Sequence, residues 1–70
     1  MNALDNAKAT AAQLNEKYAA DGLTAFVFRT YRIMKKSWKP TGSYGVRCYK
    51  AGEKVECVFD GDYVLVPFAG

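Results

Sequence analysis

Cys48 and Cys57 are the two thiols of a 70-residue chain that contains no histidine. Any chemistry here must therefore do without the commonest general base, the commonest neutral-pH switch and the usual nitrogen ligand of zinc. Two cysteines cannot supply a four-thiolate site within one chain. The strand register developed below makes them diagonal neighbours on adjacent strands, about 7–8 Å apart at Cα and beyond comfortable disulfide reach. They are expected to be reduced and to sit in the core as small hydrophobes. The carboxylates Glu53, Glu56, Asp60 and Asp62 cluster in the second half. Paired acids can hydrolyse glycosides or hold a hard cation. Here, however, Asp60 and Asp62 flank Gly61, the usual place of aspartate beside a turn glycine, and Glu56 is expected opposite Arg47. The glycines at 42, 45, 52 and 61 match neither a phosphate-binding loop nor a dinucleotide fingerprint. The residues point to no enzyme, no metal and no cofactor.

A second grouping carries more information. Seven cations and no acid fall between positions 29 and 50: Arg29, Arg32, Lys35, Lys36, Lys39, Arg47 and Lys50. Tyr31, Trp38, Tyr44 and Tyr49 lie among them. The whole chain has a formal charge of only +3, so this is a local concentration. Cations neutralise phosphate or carboxylate, and interleaved rings stack on bases or anchor an interface. The expected binding residues are Arg29, Tyr31, Arg32, Lys35, Lys36, Trp38, Lys39, Arg47, Tyr49 and Lys50. They form two groups: a loop in which Lys35, Lys36 and Lys39 surround Trp38, and a sheet face on which Arg29, Tyr31, Arg47 and Tyr49 stand together.

The elements that must position these residues are legible from periodicity. Leu4, Ala7, Ala11, Leu14 and Tyr18 recur at spacings of three and four, which predicts one helix over residues 2–21 with Asn2 as its cap. Asp5 suits the positive end of the helix dipole, and Gly22 offers a left-handed stop. Beyond Gly22 the composition turns β-branched and aromatic, with strands expected at 24–34, 43–50, 53–60 and 63–68. A two-residue turn at Ala51-Gly52 sets Cys48 opposite Val55, Val46 opposite Cys57 and Tyr44 opposite Phe59, with Arg47 opposite Glu56 and Tyr49 opposite Lys54 behind. A turn at Gly61-Asp62 sets Phe59 opposite Val64; a turn at Asp60-Gly61 instead shifts the partners but keeps the faces. Pro67 suits an edge strand.

This gives an α+β fold, one N-terminal helix packed on a four-stranded antiparallel β-meander, in a single domain over residues 1–70. The helix-facing core is expected to hold Leu4, Ala11, Leu14, Tyr18, Phe26, Phe28, Val46, Cys48, Val55, Cys57, Phe59, Val64 and Val66. Val27, Tyr31, Ile33, Val58, Tyr63 and Leu65 would then share the outer face, an apolar patch suited to an interface such as a homodimer. A chain of this size buries only about 60% of its unfolded surface, so further burial in a complex would help it.

No apolar run approaches the ~20 residues of a membrane span, and the Ala-rich start with Asp5 is unlike a signal peptide. The expectation is a cytoplasmic protein without a membrane partner. In size and layout alone the chain is similar to small phage-encoded inhibitors of host or defence complexes, anti-CRISPR proteins among them. That likeness implies stoichiometric binding without turnover. The expected function is docking, through the basic-aromatic surface, on an acidic or nucleic-acid-handling protein or nucleoprotein complex. The alternative is direct binding of DNA or RNA by the same surface.

Overall fold

The computed structural model describes residues 2–68 and shows an α+β fold, one helix and a four-stranded antiparallel sheet. Helix α1 spans Ala3–Tyr18 and ends in a 3-10 turn, Ala19–Asp21. The Asp5 N–H donates to Asn2 Oδ1 at 2.8 Å, the expected cap. Gly22 takes φ 73° and its N–H donates to the Ala19 carbonyl, so the helix stops where only glycine enters the left-handed region without strain. The sheet comprises β1 (Leu23–Ile33), β2 (Trp38–Lys50), β3 (Val58–Asp60) and β4 (Tyr63–Pro67).

The sheet is meander-like, with one departure that rearranges everything resting on the second hairpin. Its order is β2-β1-β4-β3, so β2 and β3 stand at opposite edges. The turn at Ala51-Gly52 exists, with Gly52 at φ 91°, but no hairpin grows from it. Instead the Lys50 N–H donates to Glu53 Oε1 at 2.7 Å, and the Glu53 N–H donates to the Lys50 carbonyl. The turn satisfies its own polar groups, and residues 51–57 then span the sheet, three strand spacings or about 14 Å. The expected pairs Cys48–Val55, Val46–Cys57, Tyr44–Phe59, Arg47–Glu56 and Tyr49–Lys54 therefore do not form. The last hairpin takes the first of its two expected registers, with Phe59 opposite Val64.

Register also decides the faces. In β1 and β2, Ala25 pairs with Cys48, Val27 with Val46 and Arg29 with Tyr44; Thr24, Phe26 and Phe28 pair with Tyr49, Arg47 and Gly45 on the other face. Helix α1 lies on the first of these faces. Ala3, Asn6, Ala7, Thr10 and Leu14 line a groove with Ser43, Tyr44 and Val46, and the Ala25 N–H donates to Asn15 Oδ1 at 2.7 Å. Buried Ala7, Ala11 and Ala25 show how closely the layers approach. The expected placement of Phe26 and Phe28 beneath the helix is thus reversed, because alanines on both elements provide close packing without bulky rings between them. Val27, Tyr31 and Ile33 share the helix-side face, whereas Val58, Tyr63 and Leu65 fall on the other. The expected continuous apolar patch is divided between the two faces.

Among the described residues two large side chains are fully sealed, one on each face: Phe28 and Val64, both 0% exposed. The Tyr49 ring stacks on Phe28 with centroids 6.0 Å apart, and a Cβ on Gly45, opposite Phe28, would lie 3.2 Å from Leu65 Cδ2. Other members of the expected core lie outside it. Phe26, Phe59, Cys48 and Cys57 are exposed: Phe26 stands on the face away from the helix, Cys48 and Phe59 lie on the two edge strands, and Cys57 lies on the connecting segment. Pro67 ends β4, an interior strand. The Phe68 N–H donates to the Val27 carbonyl, so the alternate position, Pro67, turns its nitrogen toward the other side, past the end of β3. The missing donor is harmless there.

Candidate functional site: an aromatic roof beside a cationic turn

Trp38 begins β2, opposite Ile33, and is not part of the loop. The turn before it is residues 34–37, closed by the Met34 N–H donating to the Ser37 carbonyl at 2.8 Å. Trp38 and Phe59 belong to the two opposite edge strands, yet their rings meet edge to face with centroids 5.8 Å apart. They must lean toward each other over β1 and β4. Tyr31, between them on the same face, lies 6.5 Å from the Trp38 ring, and Val64 is opposite both Tyr31 and Phe59. The three rings therefore roof Val64, which explains its complete burial at a place α1 does not reach. Their outer surfaces remain open: Trp38 is 44% and Phe59 63% exposed.

The cations do not form one field. Arg29 shares the roof's face; its Cζ lies 5.4 Å above the Tyr31 ring, and its buried Nε has no hydrogen-bond partner. This half-buried guanidinium is held against an aromatic face, a contact of about 0.5–2 kcal/mol. Arg32 and Lys39 pair with each other across β1 and β2, pointing to the face opposite the roof. Lys35 and Lys36 occupy the exposed turn between the two faces. Arg47 and Tyr49 lie on the face away from the helix, and Lys50 ends β2 at the far end of the sheet.

The expected quartet of Arg29, Tyr31, Arg47 and Tyr49 is thus not one surface. Its strands are neighbours, but their register puts Arg29 opposite Tyr44 and Phe26 opposite Arg47, which separates the pairs by face. Tyr49 is also occupied, with Phe28 stacked on it and Phe26 at 5.9 Å in an edge contact. It offers no open ring for a base. What stays together is Tyr31 and Trp38 with the turn lysines. Phe59 joins them, a residue the sequence assigned to the core. Its only advance signal was its position directly before the Asp60–Asp62 turn; the strand expected over 53–60 shrinks to Val58–Asp60, too short to be covered.

Among the described residues no three His, Cys, Asp or Glu side chains gather where a metal could be held, and no helix is long and apolar enough to cross a membrane. No protein-family model, curated protein or solved structure matches the chain.

Proposed function

We propose that this protein is a non-enzymatic binding protein that docks the roofed end of its β1–β2 hairpin on an acidic or nucleic-acid-handling complex and blocks it stoichiometrically. The observation that carries this reading is the open Trp38–Phe59 pair. Rings fixed by mutual contact lose little conformational entropy on binding, and tryptophan is among the residues enriched at interface hot spots. Lys35 and Lys36, in the turn beside the rings, supply the rim that selects an acidic partner and speeds encounter. A phage-encoded inhibitor of a host or defence complex, acting in the cytoplasm, fits the size and layout.

The test is affinity capture from the native host with the wild-type chain and with Lys35→Glu and Lys36→Glu combined. These substitutions leave the aromatic roof in place. The wild type should retain a specific partner that the charge-reversed variant loses; equal capture by both refutes the assigned surface. Direct nucleic-acid binding predicts instead that single-stranded DNA or RNA binds at low salt without any protein, with a log–log salt slope of about −0.7 per phosphate contact.

A further inference from the structure

The outer edge of β2 is closed at both ends and open in the middle. A residue in an antiparallel ladder turns its N–H and C=O to the same side. The Ala25 N–H goes to Asn15 and the Val27 carbonyl accepts from Phe68, so Ala25 and Val27 point away from β2. Their partners Cys48 and Val46, and by the same alternation Tyr44, then point away from β1. Toward the end of β2, the Lys50 N–H is taken by Glu53. Toward its start, Pro40 has no N–H to offer, and the register shifts between Arg29 and Tyr31. Proline and bulges are the usual devices that protect a sheet edge from further pairing, and here they stop short of positions 44–48. Among the described residues nothing bonds to the outward groups of Tyr44, Val46 and Cys48.

A groove of about 530 Å³ opens beside this unprotected stretch, between β2 and α1. Ala7, Leu14, Tyr44 and Val46 give it apolar walls; Asn6 and Thr10 give it polar ones. A strand added to β2 would send alternate side chains into this groove and the others to the opposite face, where Arg47 is exposed. We propose that β2 and α1 form a peptide-binding site that accepts an extended acidic segment by strand addition. Apolar side chains of the segment enter the groove and carboxylates meet Arg47. Charge selects this occupant over a second copy of the chain. Two β2 strands paired antiparallel about Val46 would bring their Arg47 residues to diagonal positions, about 7–8 Å apart. No acid lies anywhere between positions 29 and 50 to offset them. The site is separate from the Trp38 roof and does not depend on it.

The probe is a blocked seven-residue peptide of alternating valine and glutamate, titrated into the ¹⁵N-labelled chain. The amide signals of Tyr44, Val46 and Cys48 should shift, and a valine–lysine peptide should bind at least about tenfold more weakly. Val46→Pro removes an N–H that plays no part in the β1–β2 ladder, so it should abolish binding while the other strand signals persist. Arg47→Glu, should the proline variant fail to fold, must reverse the preference toward the lysine peptide. Trp38→Ala should bind the peptide like the wild type. Absence of shifts at millimolar peptide, equal affinity for both peptides, or concentration-dependent dimerisation through β2 would overturn the proposal.

Discussion

Phe28 and Phe59 are the same residue type in one sheet, yet the first is 0% and the second 63% exposed. Truncating Phe28 leaves a cavity under Tyr49 and beside Leu65, so Phe28→Ala should cost about 3–5 kcal/mol in a urea melt. Phe59→Ala removes one edge of the roof over Val64 and should cost only about 1 kcal/mol. Similar losses at both positions would contradict the burial pattern. The cysteines give a second check at this scale. Alternation with valines makes Cys48 and Cys57 read as core residues, but both are exposed. A thiol reagent should therefore titrate two cysteines per native chain without denaturant, where the sequence alone predicts none. Alternation reports which residues share a face of a strand; it cannot report whether anything covers that face.

At the scale of elements, local signals proved the most legible. The Asn2 cap and the Gly22 stop are where helix chemistry puts them, since both are decided within a few residues of chain. Gly22→Ala forces a side chain into φ 73° and should cost about 1–2 kcal/mol. The Asn15 contact was not legible, because a mid-helix asparagine gives no hint that a strand will present an unpaired N–H ten residues later. The Ala25 N–H lies beyond the reach of β4, whose pairing with β1 starts at Phe28, so Asn15 takes the place of a ladder partner. Asn15→Ala would leave that part-buried donor without a partner. A loss of about 1–3 kcal/mol is expected, with little change in helix content by circular dichroism. A drop in helicity without loss of the melt midpoint would show that the asparagine serves the helix and not the junction.

For the molecule as a whole, strand order is what the sequence left undetermined, and it decides the binding surface. Alternation assigns the faces of β2, β3 and β4 correctly, yet any antiparallel order that preserves it satisfies it equally. The choice among orders is made by the turn at Ala51-Gly52, which bonds to itself, and by β4, whose run of Tyr63, Val64, Leu65 and Val66 bridges β1 and β3. Trp38 and Phe59 meet from opposite edges because both rings lean inward over β1 and β4; in the expected meander Phe59 would stand opposite Tyr44 instead. Hydrogen exchange distinguishes the two arrangements. In the order β2-β1-β4-β3 the amides of β1 and β4 are interior and should be the slowest, approaching the global unfolding free energy. Strand β2 should alternate, with Gly45, Arg47 and Tyr49 protected by β1 while Tyr44, Val46 and Cys48 exchange freely. A sequential sheet would bury β2 between two partners and protect all six. Uniform protection across β2 would therefore overturn the strand order, and with it both the aromatic roof and the open edge beside α1.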